Sequence, residues 1–239
     1  MYGLRKIFKE NYYIPFLFFL ISPYFMAWGV NVMRSGIASS LFLIGLGVYY
    51  ETGKSKKVIF WVTVSVLFHI SMLIPLLFFG VTKYMTNTKA IFFAWLGSVM
   101  LALLNINIIV GINPILEQLT DRVGDYATNE GERDSWANFF VFGFFPVIFA
   151  VYNVLVLKYK NAFYNWVVNA YMLTHIPFIM LLNTNFAQRL GYLAEFMMPI
   201  LLIFPLIKDP LLRISYVRIK LVILISLVFL IKGYKILII

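Results

Sequence analysis

Long apolar runs separated by short polar loops dominate the chain. They lie at about 12–30, 35–50, 58–82, 90–110, 139–157, 166–182, 192–207 and 217–237. A membrane-crossing helix needs about 20 predominantly apolar residues, and several of these runs approach that length. The pattern predicts an all-α polytopic transmembrane protein with about seven or eight membrane segments. We expect residues 1–239 to form a single integral membrane domain.

The only long polar segment lies at 111–138. It holds six of the ten acidic residues, namely Glu117, Asp121, Asp125, Glu130, Glu132 and Asp134. Asn113-Pro114 is a typical helix start, with asparagine as the cap and proline in the first turn. Apolar residues follow at helical spacing, so we predict a short amphipathic helix lying on the membrane surface.

Charge decides how the run at about 58–82 is placed. If it crosses once and the N-terminus is inside, Lys and Arg divide 11 inside to 9 outside. If it breaks near His69 and returns, they divide 14 inside to 6 outside. Basic loops favour the cytoplasmic side, so we predict a broken or re-entrant segment around His69. The loop at 111–138 then becomes extracytoplasmic.

Composition agrees with a membrane protein. Of the 239 residues, 62% are hydrophobic and 13% are charged, whereas a soluble domain is typically about a quarter charged. Lysines that anchor cytoplasmic loops explain the net charge of +10, so we expect no nucleic-acid partner. No cysteine is present, which excludes disulfides and thiolate chemistry.

Polar side chains at membrane depth are costly and by default mark functional sites. Arg34 is either an interfacial anchor or a clamp for phosphate, which arginine binds through paired donors. His69 is either a neutral packing residue or a proton carrier and hydrogen-bond donor. The sequence around His175 supports a functional role less than the sequence around His69 does, and we interpret His175 as structural.

A second polar stretch leads into the run at about 192–207. Arg189 lies there, and Glu195 on the same predicted helix is its possible structural partner. Tyr192 is either an interface aromatic or a substrate contact. Only two histidines are present, far apart in sequence, and the acidic residues of the polar segment lack ligand spacing, so we predict no metal site.

Two segments resemble the EpsG family of polysaccharide polymerases, whose functional group includes the Wzy O-antigen polymerases. The first is Asn31-Val-Met-Arg34-Ser-Gly-Ile-Ala38, and the second, after a lysine loop, is Val66-Leu-Phe-His69-Ile-Ser71. Arg189-Leu-Gly-Tyr192 is similar to a later Arg-x-x-Tyr segment of the family. Ser35 stands where the family often has glutamine. The family usually carries more spans before the first motif, so we expect a shortened N-terminus.

The resemblance implies a multi-pass glycosyltransferase of the bacterial cytoplasmic (inner) membrane. Such an enzyme moves a growing glycan from undecaprenyl pyrophosphate onto a new lipid-linked repeat unit at the outer face. The product is O-antigen, capsule or exopolysaccharide, and no cofactor is needed. The implied partners are the lipid-linked donor and acceptor, membrane lipids, a chain-length regulator and a flippase.

The resemblance also implies roles for individual residues. The catalytic residues would be Arg34, His69 and Arg189, and the substrate-binding residues Asn31, Asp121, Arg122, Arg133 and Tyr192. Three other interpretations stay open from the residues alone. They are a flippase or transporter of lipid-linked glycans, a membrane acyltransferase that modifies glycans with His69 as base, and a non-catalytic scaffold.

The predicted topology can be tested with single cysteines, because the natural chain has none. We expect a membrane-impermeant maleimide to label Ser135→Cys in intact cells, and Lys83→Cys only after the membrane is opened. Labelling of both from the same side, or of Lys83→Cys in intact cells, would contradict the re-entrant arrangement.

Overall fold

The computed structural model describes residues 1–21, 33–53, 55–104, 136, 139–182 and 187–208. Within this part of the chain the structure is helical and contains no strand, which confirms the predicted all-α class. The predicted runs at about 35–50, 139–157, 166–182 and 192–207 are helical. The amphipathic helix expected within 111–138 and the last apolar run lie outside the described residues.

The described α-helices are numbered here in chain order. They are α1 Tyr2–Phe8, α2 Tyr13–Ile21, α3 Met33–Thr52, α4 Ser55–Phe68, α5 Leu73–Thr82, α6 Thr88–Leu103, α7 Phe145–Val151, α8 Ala162–Met180, α9 Ala187–Glu195 and α10 Met198–Lys208. Short 3-10 turns, Lys9–Tyr12 and Ile70–Met72, precede α2 and α5. π-Helical turns, Phe139–Phe144 and Tyr152–Val156, flank α7.

Local sequence explains several of the helix ends. The Asn87 side chain accepts a hydrogen bond from the Ala90 amide at 3.1 Å and caps α6. Asn161 caps α8 in the same way, through the Tyr164 amide at 2.9 Å. Asparagine is among the best residues at this position because its oxygen satisfies an otherwise unpaired amide of the first turn.

The stretch Leu190–Lys208, which contains α10, has 19 residues and a mean hydropathy of 2.0. Among the described residues, it alone is both long and apolar enough to cross a bilayer. The apolar helical stretches Ile70–Thr82, Thr88–Leu103 and Phe145–Val156 are shorter than 18 residues. The count of seven or eight membrane segments therefore stays a prediction.

The chain divides into two compact units. The first consists of Met1–Leu76 and Phe196–Ile239, and the second of Leu77–Glu195. In the first unit α1 and α4 pack against α3, and α10 packs against α2. Aromatic contacts join α10 to its neighbours, with the Phe204 ring 5.9 Å from that of Phe8 and 5.7 Å from that of Tyr50.

In the second unit α8 packs against α6 and α9. Its buried centre is aromatic, with Trp95 and Tyr171 among the largest fully buried side chains. The Trp166 indole donates a hydrogen bond to the Phe79 carbonyl at 2.9 Å. This bond ties α8 to α5 and satisfies a polar atom that would be costly to bury unpaired.

Gly3 of α1 and Gly47 of α3 bring the backbones of these two helices into direct contact. A Cβ on Gly47 would lie well inside van der Waals distance of the Gly3 carbonyl oxygen. The fit depends on the missing side chains, as is usual where small residues let membrane helices approach closely.

We therefore expect Gly47→Ala to lower the stability of the purified protein by about 1–3 kcal/mol, because the added methyl overpacks a backbone contact. A thermal melt in detergent measures the effect. Gly97→Ala is the matched control, since Gly97 is a helical, exposed glycine with nothing within 4 Å of an added Cβ. Equal melting temperatures for the two variants would contradict this packing.

Candidate functional site

The antiparallel hairpin of α3 and α4 carries the first candidate site. The two helices are joined by a tight turn at Gly53, whose φ of +61° is a conformation that suits glycine. The Ser65 hydroxyl donates a hydrogen bond to the Ala38 carbonyl at 2.7 Å. Nearer the turn, Gly45 of α3 lies opposite the Val58 carbonyl of α4. The two contacts are seven residues apart on α3 and seven residues apart on α4. The helices therefore pair without a shift between these contacts.

This register brings Arg34 and His69 to the same end of the hairpin. Arg34 lies four residues before Ala38, and His69 lies four residues after Ser65. Arg34 is therefore one helical turn, about 6 Å, beyond Ala38 on the same face of α3. The His69 amide is one turn beyond Ser65, at the end of α4. In agreement, the Arg34 guanidinium is close enough to the His69 ring to interact with it electrostatically.

The chain leaves the helical conformation at His69. Its backbone is extended, with φ −153° and ψ 108°, although its amide still donates to the Ser65 carbonyl at 3.1 Å. The His69 carbonyl then accepts from the Met72 amide at 3.0 Å and starts the next turn. The helix is interrupted at His69, as predicted, whereas the return of the segment to the same membrane face stays a prediction. The membrane face on which the break opens also stays a prediction.

The part of the chain that the structure describes places no carboxylate against the charge at this end of the hairpin. Arg34 is exposed, and among the described residues it makes no ion pair within 4 Å. His69 is partly exposed beside it. A guanidinium without a carboxylate partner, next to an imidazole, is suited to binding an anion such as phosphate through charge-assisted hydrogen bonds.

Arg189 and Tyr192 belong to the second unit, whereas Arg34 and His69 belong to the first. Arg189 lies on α9, and the structure describes its backbone only. Tyr192 on the same helix is largely buried, with 8% of its surface exposed. The other predicted substrate contacts, Asn31, Asp121, Arg122 and Arg133, lie outside the described residues.

Glu195, at the end of α9, is 3% exposed, and its side chain lies beside Gly191. The Glu195 carboxylate is also near enough to Tyr171 for an electrostatic interaction. A buried carboxylate needs compensating partners, and the predicted pairing of Glu195 with Arg189 stays a prediction, because the Arg189 side chain lies outside the described part of the structure.

His175 lies in an aromatic cage inside the second unit and is completely buried. The Trp95 indole donates a hydrogen bond to His175 Nδ1 at 3.3 Å. The rings of Phe139, Tyr171 and Phe178 lie 5.7, 5.2 and 4.9 Å from the imidazole. This environment supports the structural interpretation, because a substrate would have to displace the cage to reach the ring. Within the described residues, no group of three or more histidines and acids could hold a metal ion.

The whole chain, residues 1–239, matches the model of the EpsG family. The chain belongs to the EpsG family. The resemblance carried by the Arg34, His69 and Arg189 motifs is thereby confirmed at the level of the family. No curated protein and no solved structure matches the chain.

Membership of the EpsG family is consistent with a membrane polysaccharide polymerase. The structure adds a pairing that the motifs alone do not contain, since Arg34 and His69 are 35 residues apart in the sequence. Ser65 was missed by sequence reasoning, although a small polar residue one turn before His69 was a visible signal. In this EpsG protein its hydrogen bond to Ala38 holds the two motifs in register.

The register can be tested by cross-linking. We expect Arg34→Cys/His69→Cys to be joined by a short bifunctional thiol reagent, because both residues lie at the open end of the hairpin. Arg34→Cys/Lys57→Cys is the control, since Lys57 is exposed and lies about 18 Å further along the hairpin axis. A gel-shift assay or peptide mass spectrometry detects the cross-link. Equal cross-linking of both pairs would contradict the register.

Proposed function

We propose that this EpsG protein is a multi-pass membrane glycosyltransferase that polymerises undecaprenyl-pyrophosphate-linked repeat units at the outer face of the bacterial cytoplasmic membrane. Its family supports a role in polysaccharide biosynthesis at a membrane. The observation that carries the proposal is the Arg34 guanidinium beside His69, with no ion-pair partner among the described residues.

In the proposed reaction a hydroxyl oxygen of the acceptor sugar attacks the anomeric carbon of the lipid-linked donor. A new glycosidic bond forms, and the bond from that carbon to the diphosphate oxygen breaks. The electron pair leaves with undecaprenyl diphosphate, which also takes up the hydroxyl proton. Negative charge therefore grows on the diphosphate as the reaction proceeds.

Arg34 and His69 act on that growing charge. A fixed cation aimed at the leaving group stabilises the transition state more than the ground state, which is the condition for raising the rate. Arg34 supplies the cation, and His69 donates a hydrogen bond to the same diphosphate. The hairpin brings the backbone positions of both residues to the same end before substrate binds, which limits the reorganisation that the reaction needs.

Arg189 supplies a second cation in this proposal, by virtue of its position in the motif Arg189-Leu-Gly-Tyr192. The substrate-binding residues hold the sugars of the two lipid-linked glycans, and they are Asn31, Asp121, Arg122, Arg133 and Tyr192. Holding two reactants in line supplies a large share of the rate enhancement in reactions of this kind.

We expect Arg34→Ala and Arg189→Ala each to reduce polymerisation by about 100- to 1000-fold, the usual cost of removing one group that stabilises developing charge. Arg34→Lys should retain part of the activity, because lysine keeps the charge but loses the paired donors. His69→Gln, which keeps an N–H donor, should retain more activity than His69→Ala. The readout is the glycan ladder on a gel from cells that carry each variant as the sole copy.

Lys89→Ala is the matched control, because Lys89 is an exposed cation outside the proposed site. Its ladder should equal that of the unmodified protein. The arginine variants should leave single repeat units on the lipid acceptor. Long chains from both arginine variants would contradict the proposal, and loss of even single surface repeats would indicate a flippase or transporter instead.

A further inference from the structure

The first unit contains a second cationic feature, far from Arg34. An open pocket of about 550 Å³ lies between α1, the turn that follows it and the end of α3. It is lined by Tyr2, Arg5, Lys6, Lys9, Glu10, Tyr12 and Glu51. Glu51 lies 17 residues after Arg34 on α3, which places the pocket about 25 Å along the helix from the Arg34–His69 site. The pocket is therefore a separate feature.

Two of the charges in the pocket neutralise each other. Lys6 and Glu51 form a hydrogen-bonded ion pair that ties α1 to the end of α3. The hydrogen bond to Glu51 raises the pKa of Lys6, which favours the charged form of this lysine in the pair. Because Lys6 is paired with Glu51, Arg5 and Lys9 are the basic groups of the pocket that are available to a ligand.

The remaining charge is predominantly positive. Arg5 and Lys9 are exposed, and among the described residues neither makes an ion pair within 4 Å. Lys208, at the end of α10, is near enough to Lys9 for the two ammonium groups to repel each other. Glu10 is the one acid of the pocket outside the Lys6 pair. Two cations and one carboxylate in the pocket, with Lys208 near Lys9, favour binding of an anion.

Lys9 also has an unusual backbone. Its φ of +54° with ψ of −122° is a conformation that residues with a side chain rarely adopt. Such strain tends to occur where a side chain or a backbone group must be held for binding. The aromatic rings of Tyr2 and Tyr12 complete the pocket wall, and tyrosine is enriched at the interface between membrane and water.

We propose that this pocket binds the phosphate group of an anionic membrane lipid. Arg5 and Lys9 hold the phosphate oxygens, and the tyrosines lie at the level of the lipid headgroups. Basic groups beside a membrane attract anionic headgroups, and each contributes about fivefold to binding. The lipid would anchor α1 at the membrane surface opposite the Arg34–His69 site. The proposal does not depend on the enzymatic activity.

The test uses the full-length protein in detergent, titrated with phosphatidylglycerol and followed by native mass spectrometry. We expect the unmodified protein to retain phosphatidylglycerol more strongly than phosphatidylcholine. The variant Arg5→Gln/Lys9→Gln should bind phosphatidylglycerol at least about tenfold more weakly, since it loses two basic contacts. Glu10→Gln should bind more tightly, because it removes the opposing charge.

The matched control is Lys56→Gln/Lys57→Gln. It removes the same charge from exposed residues beside the hairpin turn that do not line the pocket. Its affinity should stay within about twofold of the unmodified protein, since it removes no contact to the lipid. Arg5→Lys/Lys9→Arg, which keeps both charges, should retain the lipid and shows that changes at these positions are compatible with folding.

Three outcomes would overturn the proposal. Equal weakening in the two glutamine double variants would indicate diffuse surface charge. Equal retention of phosphatidylglycerol and phosphatidylcholine would show that the anionic headgroup is not recognised. Binding of inorganic phosphate that depends on Arg5 and Lys9, without retention of phosphatidylglycerol, would assign the pocket to a soluble phosphate.

Discussion

The hydrogen bond from Ser65 to the Ala38 carbonyl connects the two family motifs. A helix turns by 100° per residue, so a slip of one residue in α4 would rotate His69 away from α3. A slip would break the hydrogen bond of the buried Ser65 hydroxyl and move Gly45 away from the Val58 carbonyl, so both contacts favour the observed register. The juxtaposition of Arg34 and His69 thus depends on how α3 and α4 pair along the hairpin.

Buried and exposed polar groups serve different purposes in the two units. His175 is enclosed by aromatic rings and accepts a hydrogen bond from Trp95 at Nδ1, while its buried Nε2 has no hydrogen-bond partner among the described residues. Arg34 has the opposite surroundings, since it is exposed and has no ion-pair partner among the described residues. Both residues are polar interruptions of apolar sequence. Only their surroundings separate a packing role from a binding role.

The sequence predicted local features of the fold but not which residues of different helices meet. The helical class and the break at His69 were predictable, because apolar runs and their polar interruptions are local features. The resemblance assigned Arg34 and His69 to one site, but their register was not predictable, because the sequence placed the loop only within 51–57 and the register depends on the exact turn at Gly53. The close approach of Gly3 to Gly47 was equally hidden, since the two residues lie on different helices.

The two ends of α3 differ in whether the described residues compensate the charge on the helix. The N-terminus of a helix is the positive end of its dipole and the C-terminus the negative end. Arg34 in the first turn and Glu51 in the last turn both have the sign that the dipole disfavours, each by about 0.3–1 kcal/mol. At the C-terminal end Lys6 compensates Glu51 within the chain. At the N-terminal end the described residues supply no carboxylate for Arg34, so an anion bound there would relieve the same conflict. The dipole of α3 and the guanidinium would then act together on one anion, as the proposed reaction with a departing diphosphate requires.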